Sequence, residues 1–149
     1  MIKNLEVYSE ARHKVSKALI KKVVELLKND LKFEISSLII NFVSAAKITL
    51  INSDFLNHNY STDIVTFNYS DSLAVIDAEL FISTDDALDN AIRFKAEFTE
   101  EIIRLVIHGI LHVSGFDDKE KNDRARMKRM ENKLLNKYKS VLLSQEVKI

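Results

Sequence analysis

The sequence predicts an α+β fold, one small mixed β-sheet of about four strands packed with about five helices, and a central buried helix. Three observations lead there. Strand-like and helix-like segments follow one another without strict alternation. Apolar residues make up 46% of the chain and charged residues 30%, enough apolar surface for an ordinary core. Finally, residues 102–113, IIRLVIHGILHV, contain only Arg104, His108 and His112 besides apolar residues and glycine, the pattern of a helix enclosed on nearly all sides. The 149 residues suit one domain spanning 1–149.

The elements are read in chain order. Residues 2–8 form a first strand, and a helix is expected from Ser9 as N-cap to about Asn29, with Val15, Leu19, Val23, Val24 and Leu27 near helical spacing. Residues 37–43, SLIINFV, are a β-rich apolar run and a buried strand. A helix follows over about 44–57. Residues 62–69 alternate and are rich in β-branched and aromatic side chains, a third strand, and 78–82 give a fourth. Ser83 with Asp86 has the form of a capping box and starts a helix through about Phe94. Thr99 before Glu100 and Glu101 is a second helix start, with acids at the positive end of the dipole. That helix stops at Gly115, a natural residue for a left-handed cap. A charged amphipathic helix runs from Lys119 to about Leu143.

Composition excludes some classes of function. There are no cysteines, so neither disulfides nor thiolate metal sites are available. The N-terminal residues lack the apolar stretch of a signal peptide, and no run of about 18 apolar residues exists, so a cytoplasmic protein is expected. The net charge is zero but unevenly spread. Residues 71–101 hold nine acidic and two basic side chains, and residues 119–139 hold nine basic and three acidic ones. The basic stretch reads either as a solvated helix face or as a surface for RNA phosphates, with Arg124, Arg126, Lys128 and Arg129 as the candidate contacts.

The chemistry lies in the buried helix. His108 and His112 are four residues apart and share one face, so two imidazoles can converge on one ion. Gly109 between them costs about 1 kcal/mol relative to alanine, which points to a close approach against the helix. After a reversal at Gly115, Phe116 can re-enter the core and Asp117 and Asp118 return toward the last turn. Two histidines and a carboxylate, with a place for water, make a catalytic zinc arrangement. The same set also describes the facial triad of non-haem iron oxygenases, and two hydrogen-bonded core histidines remain the plainer reading. A protease of the H-E-x-x-H type is disfavoured, because Gly109 replaces the glutamate base.

HGILHVSGFDD at 108–118 resembles the signature H-G-x-L-H-L-x-G-Y-D-H of the YbeY family of bacterial metal-dependent endoribonucleases. STDIVTF at 61–67 is similar to that family's P-T-D-V-L-S-F, and AELFIS at 78–83 to its G-D-I-x-I-S. The resemblance covers about residues 35–135 and implies an α+β fold with zinc held by the signature helix. It implies single-strand-specific RNA cleavage in maturation of the 3′ end of small-subunit ribosomal RNA, ribosome quality control, and the small ribosomal subunit as partner. The ligands would be His108, His112 and Asp118, with Asp117 hydrogen-bonding to the site and Thr62 and Asp63 as candidates for the catalytic cleft. Zn²⁺ is the expected cofactor, one per chain. A ribosome assembly or RNA-binding factor with little catalysis, and another zinc-dependent hydrolase, are the alternatives.

The chain departs from the family pattern at three places. Asp118 stands where the family has its third histidine. Three neutral imidazoles leave zinc at about +2 and a carboxylate lowers this to about +1, so bound water is less acidified. An oxygen ligand also admits manganese or iron. Leu56 replaces a family arginine suited to bidentate phosphate contact, with His58 and Arg93 as the cations that would compensate. Ala78 and Glu79 replace a family Gly-Asp pair.

Overall fold

A computed structural model describes residues 3–57, 60–116 and 119–147, with side-chain detail to Leu142. Among these residues the elements are β1 (Leu5–Ser9), α1 (Lys17–Leu31), β2 (Glu34–Val43), α2 (Ala45–Leu56), β3 (Ile64–Asn68), β4 (Val75–Ser83), α3 (Thr84–Phe94), α4 (Phe98–Val113) and α5 (Lys121–Val147). The architecture is therefore α+β, with one mixed sheet in the order β1-β2-β4-β3. β1 and β4 flank β2 in parallel, and β3 runs antiparallel to β4 at the edge. None of the described helices is long and apolar enough to cross a membrane.

Register decides which side chains face the site. Leu38 pairs with Ala78, Ile40 with Leu80 and Phe42 with Ile82, so the buried residues of β2 and β4 share one face. Ile64 opposite Ile82 and Thr66 opposite Leu80 extend that face onto β3. α1 lays Ile20, Val23, Val24 and Leu27 against this core, each fully buried. α2 covers part of the other face, where Ile48 and Ile51 meet Val43 and Val65. α4 packs against α1, α3, α5, β3 and β4. Contact on so many sides is why its sequence is apolar almost all round.

Several boundaries move from those expected. Ser9 ends β1 and does not cap a helix; the N-cap is Ser16, whose hydroxyl accepts from the Leu19 N–H at 3.2 Å. The reason is local, since the apolar spacing begins only at Val15. β1 and β3 start at Leu5 and Ile64, later than the alternation suggested, and β2 and β4 start earlier, at Glu34 and Val75. The Ser83 cap forms, its hydroxyl accepting from the Asp86 N–H at 3.1 Å. The reciprocal bond does not form, because the Asp86 carboxylate takes the Ser61 hydroxyl and the Ser83 N–H donates to the Asp63 carbonyl. α4 begins at Phe98 with Glu97, rather than Thr99, in the cap position, and Glu97 makes no side-chain cap bond. α5 extends to Val147, beyond the expected Leu143.

Candidate metal centre

α4 carries both histidines in its last two turns. His108 is half-buried, with 26% of its side chain exposed, and His112 is exposed near the helix end. Gly109, between them, lies against the sheet. A Cβ there would come within 2.8 Å of the Ile64 Cδ1 and 3.0 Å of the Leu80 Cδ1. The close approach that the glycine suggested is therefore to β3 and β4. It seats the histidine-bearing turns directly on the sheet.

The end of α4 is a Schellman turn. Gly115 takes φ +108°, its N–H donates to the His112 carbonyl at 3.2 Å, and the Phe116 N–H donates to the Leu111 carbonyl at 3.0 Å. Phe116 packs partly buried against the main core, so the chain does turn back after His112. Asp117 and Asp118 follow at once and lie outside the described residues, as does His58. Among the described residues no three carboxylate or imidazole groups are gathered closely enough to hold an ion. The donor chemistry on the helix nonetheless fits a divalent cation: two imidazoles one turn apart, ahead of a turn that carries carboxylates.

Behind His108 is a set of polar residues that the sequence reading missed. The His108 Nδ1 lies 2.5 Å from the Glu131 Oε2. Glu131 comes from α5 and is 3% exposed. Its Oε1 accepts from the Arg104 Nη1 at 3.1 Å. Arg104 also forks onto Glu101, with Nε at 2.8 Å from one carboxylate oxygen and Nη2 at 2.5 Å from the other. Asn90 of α3 completes the chain, its amide donating to Glu101 and to Asp63, both at 3.1 Å.

The charges in this set support one another. Burial alone would raise the Glu131 pKa, but the His108 hydrogen bond and the charges of His108, Arg104 and Lys128 outweigh it and hold the carboxyl below its ordinary value. The hydrogen bond to Glu101 and the two carboxylate charges raise the Arg104 pKa further despite partial burial. One sequence signal would have found Glu131. Met127, Leu134, Leu135, Tyr138 and Leu142 form the buried stripe of α5, and Glu131 sits within that spacing. A charge on the core stripe calls for a partner.

The remaining candidates lie around this centre. Asp63 precedes β3 and is tied to Asn90. Thr62 accepts from the Asn52 amide at 3.2 Å, a contact that fastens the strand entrance to α2. Asp63, Asn90, Arg104 and Lys128 border a cleft of about 480 Å³. Leu56 ends α2 and is exposed, and the Arg93 guanidinium lies 5.8 Å from the centroid of the Phe94 ring.

α5 exposes Arg124, Arg126, Lys128 and Arg129, and Arg124 donates to the Lys119 carbonyl at 2.9 Å. Arg126 lines a hollow of about 230 Å³ together with Ser114, Gly115 and Phe116 of the turn. Further along α5 the basic residues are used within the fold. Lys137 pairs with Asp30 at 2.7 Å and Lys139 with Glu100 at 2.8 Å.

Comparison with known proteins gives a consistent picture. A family profile described as endoribonuclease YbeY matches residues 1–139. The endoribonuclease YbeY of Chlorobium phaeovibrioides is 34% identical over 131 residues, which is 88% of either chain. That of Bacteroides thetaiotaomicron is 44% identical over 96 residues, covering 63% of this chain and 68% of the relative. The solution structure of a Thermotoga maritima protein superposes with a TM-score of 0.61 at 26% identity, over 91% of this chain and 92% of that one. A profile match over nearly the whole length, relatives above 30% identity and a shared fold agree: this chain belongs to the YbeY family of endoribonucleases, metal-dependent RNA hydrolases of ribosomal RNA maturation.

Proposed function

We propose that residues 1–149 act as one catalytic unit that cleaves single-stranded RNA, with one zinc ion held by His108, His112 and Asp118. In this reading the substrate is the 3′ end of small-subunit ribosomal RNA, met on the small ribosomal subunit in the cytoplasm. The observation that carries it is the placement of His108 and His112 one turn apart on a helix seated against the sheet, ahead of the Gly115 turn. Asp118 follows three residues after that glycine in the sequence, and Asp117 beside it is assigned as the carboxylate that would hydrogen-bond to the site.

Zinc, when bound, supplies a Lewis acid for a phosphate oxygen and a water acidified toward neutral pH. The chain's own residues bind and orient. Arg126 stands beside the turn, where a phosphodiester entering from solvent meets its guanidinium. Lys128 and Arg129 extend the positive surface along α5. Thr62 and Asp63, through Asn52 and Asn90, keep the entrance to β3 in place beside the cleft. Leu56 leaves the site without the arginine common in the family, so cleavage depends more heavily on α5.

The test is cleavage of a labelled single-stranded RNA and of its duplex by the metal-loaded protein. The expected result is cutting of the single strand, loss on chelation, recovery with added zinc, and weaker RNA binding by Arg126→Ala. Cleavage that persists through chelation and in His112→Ala would remove the proposed mechanism.

A further inference from the structure

We infer that Glu131 is a positioning residue for the metal centre, and that the series Glu101, Arg104, Glu131 sets which ring nitrogen of His108 carries the proton. The inference rests on the reading of His108 as a metal ligand. It assigns the orientation of that ligand to a residue outside the signature segment, on a different helix.

An ionised carboxylate only accepts hydrogen bonds. Glu131 at 2.5 Å from the His108 Nδ1 therefore requires the proton on Nδ1, which leaves the Nε2 lone pair for an ion. The Glu131 carboxylate cannot turn away, because its other oxygen is held by Arg104. Arg104 cannot turn away either, because its fork is closed on Glu101, and Asn90 fixes Glu101 from the next helix. The ring is thus oriented by a chain of contacts that begins on α3 and runs through α4 to α5.

Stability alone does not account for the arrangement. Buried ion pairs lose in desolvation much of what they gain in attraction, and apolar side chains of similar volume serve as well. Glu101 and Glu131 with Arg104 carry a formal charge of −1 behind His108, which the nearby Lys128 offsets only from a distance. A cation on the outer face of the ring balances that charge.

The test uses the full chain and two readouts other than activity. The first is the His108 ring in long-range ¹H–¹⁵N spectra of metal-free wild-type protein. The second is the zinc dissociation constant, from competition with a fluorescent chelator, for wild type, Glu131→Gln, Glu131→Asp and His108→Ala. We expect the Nδ1–H form in wild type. Glu131→Gln should weaken zinc binding by about 10- to 100-fold while the protein stays folded, with Glu131→Asp in between.

A Glu131→Gln protein with wild-type zinc affinity, beside a His108→Ala protein that has lost it, would overturn the positioning role and leave the ligand assignment standing. His108→Ala that keeps zinc would overturn both. The wild-type spectrum needs no substitution, and an Nε2–H form of His108 in it would overturn the inference even if Glu131 variants fail to fold.

Discussion

His108 and His112 share one face of α4 and are held in different ways. His108 is half-buried and fastened to Glu131, with Arg104, Glu101 and Asn90 behind it. His112 is exposed, and what surrounds it is the turn: Gly115 bonds back to its carbonyl, and Phe116 brings the chain toward the core. One side of the centre is built by long-range ion pairing, the other by a local cap. In the proposed function the fixed side would hold the ion in place, and the turn side, which shares a hollow with Arg126, would admit the substrate.

This division can be broken from either side. The largest effect is expected at the turn. Gly115 has φ +108°, and a Cβ there would sit 3.2 Å from two Leu73 methyl groups. Gly115→Ala should cost about 2 kcal/mol in urea unfolding, since left-handed backbone conformations cost an L-residue roughly 1–2 kcal/mol before any clash. It should also weaken zinc binding while the His108 ring spectrum stays unchanged. A change in that spectrum would show that the two sides are not separate.

Gly109 lies under both histidines, and its replacement should act on both. Gly109→Ala adds a methyl group against Ile64 and the fully buried Leu80. Overpacking costs about 1–3 kcal/mol, and the gain in helix propensity returns about 1. The expected net loss is about 1 kcal/mol. Adding Ile64→Val removes the methyl that lies 2.8 Å away and should recover most of it. A double variant no more stable than Gly109→Ala would place the strain elsewhere.

The smallest effect concerns the seat of α5, and so of Glu131. The Tyr138 hydroxyl donates to Asp30 of α1 at 2.8 Å, beside the Lys137 pair. The Lys137 hydrogen bond is the main cause that lowers the Asp30 pKa, while partial burial opposes it. A carboxylate whose pKa is lowered on folding contributes stability above its unfolded value, and that contribution is lost as pH falls through the folded one. Burial first, then Asp30, raises the Tyr138 pKa, so its contribution holds below the ordinary tyrosine value and is lost only in strong alkali. Unfolding at pH 7 and at pH 3 should differ through Asp30 by less than about 1 kcal/mol, as for other solvent-accessible pairs. Lys137→Ala should flatten that acid limb, and an unchanged limb would exclude Asp30 as its source.

The two sides also differ in how far the sequence reveals them. The turn is local, so Gly115 as cap residue and Phe116 returning to the core follow from neighbouring residues. The apolar run of α4 and the spacing of its histidines are local too. The ion-paired side joins Asp63 to Glu131 through three helices, and no short window contains it. Glu131 is hidden further because the charge total of residues 119–139, nine basic against three acidic, carries no information about position on the helix, which is what matters. The first helix start was misplaced for a similar reason: Ser9 and Ser16 are both good caps, and only the onset of apolar spacing at Val15 separates them. The half-formed cap at Ser83 depended on Ser61, which lies 25 residues from Asp86 and competes for its carboxylate.

The central claim is that His108, His112 and Asp118 hold one metal ion. The most direct measurement is the metal content, by elemental mass spectrometry, of wild type, His108→Ala, His112→Ala and Asp118→Ala, each purified without chelator. Close to one zinc per wild-type chain is expected, with a large loss in each variant. Stoichiometric metal retained in His108→Ala and Asp118→Ala would contradict it.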